Sequence, residues 1–133
     1  AWNFAWGKIQ DVFFIGGGFG FTELTFKKYL LELSILGHQG NAHNSYLTIW
    51  MDTGLIGLIL FLAGLIRTVF KAASNSTLAL PVAYCVLFSA NFESWLSASL
   101  NPFTSLFLIA LAILMYQENK GAENPELLEE GTK

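Results

Sequence analysis

The residues best suited to chemistry cluster where a polar loop gives way to an apolar stretch. The segment Asn41-Ala42-His43-Asn44-Ser45-Tyr46-Leu47 leads into a run whose one acid, Asp52, precedes Thr53-Gly54-Leu55-Ile56-Gly57. Imidazole is the side chain most readily poised to accept a proton near neutral pH. If the apolar stretch is a helix capped by Asn44 or Ser45, His43 stands just ahead of its N-terminus. The partial positive charge there favours the neutral, proton-accepting imidazole, and the free N–H groups can meet an anion such as a diphosphate. A general base supplies roughly 10²–10⁴-fold, so it cannot be the whole catalyst. The other reading makes His43 a polar interface residue that ends a loop. Asp52 either complements the helix dipole in the first turns or orients His43 or an acceptor hydroxyl, since ionisable groups within membrane spans are costly and often functional. Glu93 is open to the same two readings, surface placement or support of the site, and Lys27 and Lys28 offer positive charge. His38 lacks the surrounding motif. No carboxylate or histidine pair has metal-ligand spacing, so neither metal nor cofactor is implied.

The elements that must position these residues are apolar. Only 13% of the 133 residues are charged, about half the share usual in soluble domains, and the mean hydropathy is +0.49. No Asp, Glu, Lys or Arg occurs in residues 72–92 or 94–117. A bilayer core about 30 Å thick takes about 20 helical residues. These runs predict an all-α integral membrane protein with three transmembrane helices, at about 45–70, 78–92 and 96–116. Pro81 falls in the first turn of the second, and Asn101-Pro102 reads as a cap followed by proline at the first helical position of the third. Gly54, Gly57 and Gly64 read as packing residues that let helices approach. Cys85, alone in an apolar run, is expected to be a packed thiol without a disulfide role.

Ahead of the spans, residues 1–21 mix Trp2, Phe4, Trp6, Phe13, Phe14, Phe19 and Phe21 with the cluster Gly16-Gly17-Gly18-Phe19-Gly20. Aromatic side chains of this kind gather at membrane–water interfaces. The glycines lack the spacing of a nucleotide loop and read as a flexible loop or a close backbone approach. Residues 24–36 predict a short interfacial helix, with Lys28 and Glu32 as an i,i+4 pair. Residues 118–133 carry five of the ten acids and read as a disordered cytoplasmic tail, leaving 1–117 as the membrane domain. Arg67 and Lys71 favour a cytoplasmic loop after the first span, which puts His43, Asp52, Glu93, Asn101 and the N-terminal segment at the extracytoplasmic side. No basic patch suggests nucleic acid.

The His-Asn entrance, the acid that follows it and the Gly-Leu-Ile-Gly helix resemble the O-antigen ligase and O-antigen polymerase superfamily. The glycine-rich lead-in, Glu93-Ser94 and Asn101-Pro102-Phe103 are similar to it more loosely. The resemblance implies the C-terminal part of a multi-pass protein of the bacterial inner membrane that builds cell-surface polysaccharide such as O-antigen or exopolysaccharide. The family would transfer a saccharide from a polyprenyl-diphosphate-linked glycan donor to a hydroxyl of a lipid-linked or protein acceptor. It makes His43 the residue that activates the acceptor, with Asn44, Asp52, Glu93, Lys27 and Lys28 in support. Relatives clamp the diphosphate with extracytoplasmic arginines. The one arginine here, Arg67, is assigned to the opposite face, so the clamp is expected upstream or from Lys27 and Lys28. A non-catalytic multi-pass transporter or scaffold sharing the signature is the alternative.

Overall fold

The computed structural model describes residues 1–35, 37, 40–97 and 101–116. His38 and the expected acidic tail lie outside the described residues. Among those described the chain is helical, without strands: α1 (Trp2–Asp11), α2 (Phe21–Lys28), α3 (Leu30–Ile35), α4 (Ser45–Asn75), α5 (Ala79–Ser89) and α6 (Pro102–Tyr116). Helix α4 is the central element and packs against α1, α2, α5 and α6.

Two cores share that helix. The first half of α4 contributes Met51 to a cluster with Ala5 and Ile9 of α1, Phe26 of α2, Leu33 of α3 and Ala42. The second half contributes Val69 and Ala72 to a cluster with Ala79 and Ala83 of α5 and with Phe107, Leu111 and Leu114 of α6. The sequence reading assigned no helix to α1 and took its aromatics only as a mark of the membrane–water interface. Its buried face is the i,i+4 pair Ala5 and Ile9, while Trp6 sets its ring edge-on to Trp50 at 5.5 Å. The expected helix over 24–36 is two helices. Tyr29 leaves helical geometry at φ −101°, ψ 16°, and its ring meets Phe4 at 5.4 Å with the Lys8 ammonium 4.8 Å from its centroid. Lys28 and Glu32 therefore fall on different helices.

Helix α4 is long and apolar enough to cross a membrane, and only 22% of its most apolar window is buried. A core helix of a soluble protein would be mostly covered. Leu60, Phe70, Tyr84, Leu106 and Ile113 on α4–α6 also face outward, as lipid-facing side chains do, so the chain is compatible with a membrane protein. The other two expected spans are shorter as helices, with 11 residues in α5 and 15 in α6. At about 1.5 Å per residue neither covers 30 Å alone. Helix α5 stops where Ala90 and Asn91 turn to bond the start of α4, and Asn101 accepts from the Phe103 N–H at 2.9 Å to begin α6 at Pro102. Cys85 is exposed on α5, which corrects the expectation of a packed thiol.

The decisive local feature of α4 is a break. Gly54 has φ 71°, ψ −179°, a conformation essentially confined to glycine. Such a break strands carbonyls before it and N–H groups after it, and the segment 13–18 takes up both. The Gly17 and Gly18 N–H groups donate to the Met51 and Asp52 carbonyls at 2.8 and 2.9 Å. The Leu55 and Ile56 N–H groups donate to Phe13 and Phe14 at 2.8 and 3.3 Å. The Trp50 indole adds a bond to the Phe13 carbonyl at 3.1 Å. Contact this close requires glycine on both sides. A Cβ on Gly16 would collide with the Asp52 and Gly54 backbone, and one on Gly54 with Phe14 and Gly16. The close partner of Gly54 is thus a loop, and a Cβ on Gly64 would meet open space. The Gly54→Ala protein is expected to lose about 2–4 kcal/mol from strain and overpacking. Gly64→Ala should stay within about 1 kcal/mol. Thermal unfolding in detergent micelles measures both, and equal midpoints would contradict the assignment.

Candidate functional site

The site is assembled where the start of α4 meets the turn after α5. Asn44 is extended at φ −159° and caps α4 by accepting the Leu47 N–H at 3.0 Å, while its Nδ2 donates to the Asn91 carbonyl at 3.1 Å. The Asn44 N–H donates to Ser94 Oγ at 3.2 Å. Ser45, fully buried, donates from its N–H to the Ala90 carbonyl at 2.8 Å and from its hydroxyl to the Glu93 carbonyl at 2.6 Å. The Leu96 N–H returns to Ser45 Oγ at 3.2 Å. The positions of residues 43 and 93 are thereby fixed relative to each other.

His43 lies between these bonds in the left-handed region, φ 47°, among the described residues the one non-glycine there. That conformation costs about 1–2 kcal/mol and is retained only where the surroundings dictate it. The dictating contact is Asn41, whose Oδ1 accepts both the His43 N–H at 3.2 Å and the Ser94 hydroxyl at 2.9 Å. The imidazole Nδ1 comes within 3.5 Å of Glu93 Oε2, with the two side chains 42% and 62% exposed. The pair is reachable by a solute, and Nε2 is the ring nitrogen left for another partner.

Asp52 sits elsewhere. Its carboxylate accepts the Thr22 N–H at 2.7 Å, the Thr22 hydroxyl at 2.6 Å and the Gly20 N–H at 3.3 Å. It serves as the cap of α2, an arrangement that the first-turn and His-orienting readings did not include. Lys27 and Lys28 end α2, where cations complement the helix dipole. Lys28 Nζ lies 5.5 Å from the Tyr29 ring centroid. No contact among the described residues joins either lysine to His43. Sequence reasoning also missed Asn41, Ser94 and Thr22. The Asn41-x-His43 spacing, which suits an asparagine side chain bonding a backbone N–H two residues on, was the one available signal.

Two cavities adjoin these residues, one lined by Asn41 and Ser94 and the other by Glu93. A polar one of about 370 Å³ is lined by Thr22, Asn41, Thr48, Asp52 and Ser94, with Phe26 beneath and Phe19 and Glu23 at its edge. An apolar groove of about 570 Å³ runs between α5 and α6, with Glu93 and Ser89 supplying its polar end and Cys85 among its lining.

The model of the family described as O-antigen ligase matches residues 1–62. This segment, just under half of the chain, is similar to the O-antigen ligase family. It covers α1 to α3, the histidine loop, the break at Gly54 and α4 as far as Leu62, so His43, Asn44, Asp52, Lys27 and Lys28 lie inside the match and Glu93 outside it. The family is one of glycosyltransferase-like membrane enzymes, and it implies O-antigen ligase- or polymerase-like function on lipid-linked glycans. No curated protein and no solved structure matches the chain.

Removing the Asp52 carboxylate should loosen α2 without touching the His43–Glu93 contact. Asp52→Ala is expected to cost about 2 kcal/mol as cap and charge-assisted bonds are lost, with Asp52→Asn recovering part of it. Faster amide hydrogen exchange at Gly20 and Thr22 would register the loss. Unchanged exchange in Asp52→Ala would refute the cap.

Proposed function

We propose that the chain is part of a glycan ligase or polymerase that transfers a saccharide from a polyprenyl-diphosphate donor to an acceptor hydroxyl at the extracytoplasmic membrane face. The observation that carries this reading is His43, held in a costly backbone conformation with Nδ1 3.5 Å from Glu93 Oε2. A carboxylate at Nδ1 favours the tautomer with its proton there and leaves the Nε2 lone pair to accept one. The acceptor hydroxyl gives its proton to Nε2 as its oxygen attacks the anomeric carbon. The bond from that carbon to the diphosphate oxygen breaks, and polyprenyl diphosphate departs with the electron pair. The acceptor is a lipid-linked or protein hydroxyl. Asn44 supports the step through the backbone, and Glu93 through the imidazole. A clamp for the diphosphate is a task for cations outside this constellation, with Lys27 and Lys28 as the candidates within the chain.

His43→Ala in the full-length protein should lower transfer by roughly 10²–10⁴-fold. Protein level and insertion should stay intact, because a partly exposed loop side chain holds little packing energy, about 1 kcal/mol or less. His38→Ala is the control outside the motif. The assay follows lipid-linked donor and glycosylated acceptor in membranes, and undiminished turnover by His43→Ala would end the base assignment.

The topology that accompanies this reading has three spans, with α5 and α6 completing their crossings through flanking residues, and an inner-membrane location. Asn75 bonds the Met115 carbonyl at 2.6 Å and Thr104 bonds the Trp95 carbonyl at 2.6 Å. The ends of α4 and α6 therefore share one side and the His43 loop and the start of α6 the other. Arg67 and Lys71 favour the cytoplasm for the former. In a Cys85→Ser background, an impermeant thiol reagent added to spheroplasts should label Glu93→Cys and spare Ser76→Cys. The reverse pattern would invert the orientation.

A further inference from the structure

We propose that the polar cavity lined by Asn41, on the loop that carries His43, is a subsite for one uncharged sugar ring of the acceptor. The inference rests on the reading of His43 as the base and adds where the acceptor sits and what charge it carries.

At about 370 Å³ the cavity is within the range of small-molecule sites. Its chemistry narrows the ligand class. The described residues that line it include no lysine or arginine and two acids, Glu23 and Asp52. A diphosphate or a uronic acid would meet carboxylates without compensation. An apolar ligand would bury the amide of Asn41 against hydrocarbon, which is costly for a group that needs hydrogen-bond partners. A neutral polyol can donate to carboxylates and accept from an amide with the same set of hydroxyls.

The donor and acceptor inventory is directional. Both lone pairs of Asn41 Oδ1 are engaged, by the His43 N–H and the Ser94 hydroxyl, which leaves the Nδ2 hydrogens as the group Asn41 offers to a ligand. Asp52 accepts three bonds from Gly20 and Thr22 and so stays a fixed anionic wall. Glu23 is exposed at the edge, where its carboxylate can accept from ligand hydroxyls. Phe19 is 91% exposed on the same rim and offers an apolar face to the C–H side of a pyranose. Asn41 lines the cavity and holds the His43 backbone N–H through its Oδ1, so a ring bonded to its Nδ2 sits against the loop that carries His43. That adjacency suits the acceptor, because the donor's ring carries the anionic diphosphate that the cavity disfavours.

The test is saturation-transfer NMR on the full-length protein in nanodiscs, with methyl glucoside as the neutral probe and glucuronate and glucosamine as its anionic and cationic counterparts. Methyl glucoside should bind, glucuronate should bind more weakly, and Ser97→Phe, which fills the cavity from its lining, should weaken methyl glucoside roughly tenfold, as expected for about 1.4 kcal/mol of lost contacts. Glu23→Gln, at an exposed position with little folding risk, should narrow the preference over glucuronate even if Ser97→Phe proves unstable. Binding that Ser97→Phe leaves unchanged in a folded protein, glucuronate bound as well as methyl glucoside, or binding confined to glucosamine would overturn the subsite. His43→Ala should keep methyl glucoside binding. An active His43→Ala that still binds the probe would overturn the base alone, and an inactive His43→Ala in a protein whose wild type binds no probe would overturn the subsite alone.

Discussion

A helix interrupted at one residue leaves acceptors on one side of the break and donors on the other, and neither set can stay unpaired in a setting that excludes water. In this chain the break is at Gly54, and residues 13–18 answer it from both sides, with Gly17 and Gly18 donating and Phe13 and Phe14 accepting. That exchange ties the N-terminal helices to α4. It brings the glycine segment against Asp52, whose side chain then caps α2, and it seats α1 against Trp50 through Trp6 and Phe13. The polar cavity is bounded on one side by this arrangement.

The other boundary comes from a different kind of bonding. The turn after α5 is laced to the start of α4 almost wholly through backbone groups and small side chains, Asn44 and Ser45 on one strand of the contact and Ala90, Asn91, Glu93 and Ser94 on the other. Small side chains have few rotamers to lose, so the loop is held at modest entropic cost. The long side chains, His43 and Glu93, stay at the surface of this knot where a solute can reach them.

The helical class, a cap at Asn44 or Ser45 and the proline start of α6 could all be read from residue types, because each depends on neighbours in sequence. The partner of Asp52 could not. Its capping target lies 30 residues upstream, and an acid in an apolar run looks the same whether it serves its own helix or another. The break at Gly54 was equally hidden, since Gly54-Leu55-Ile56-Gly57 also suits an uninterrupted packed helix. Helix α1 was masked by its aromatics, which a membrane–water interface favours whatever the backbone conformation. The pairing of His43 with Glu93 joins residues on either side of two helices, and only the fold of α4 against α5 reveals it.

The break in α4 also uncouples the rotational phase of its two halves. In a continuous helix, adding or removing a residue turns everything beyond it by about 100° relative to what precedes it. Here the hydrogen-bonded seam at Gly54 sets the start of the second half afresh, so the stripe that meets α5 and α6 need not continue the stripe that meets α1 and α2. Each half can drift in sequence under its own packing demands. Only the glycine pair and the bonds that cross the seam must be kept in register.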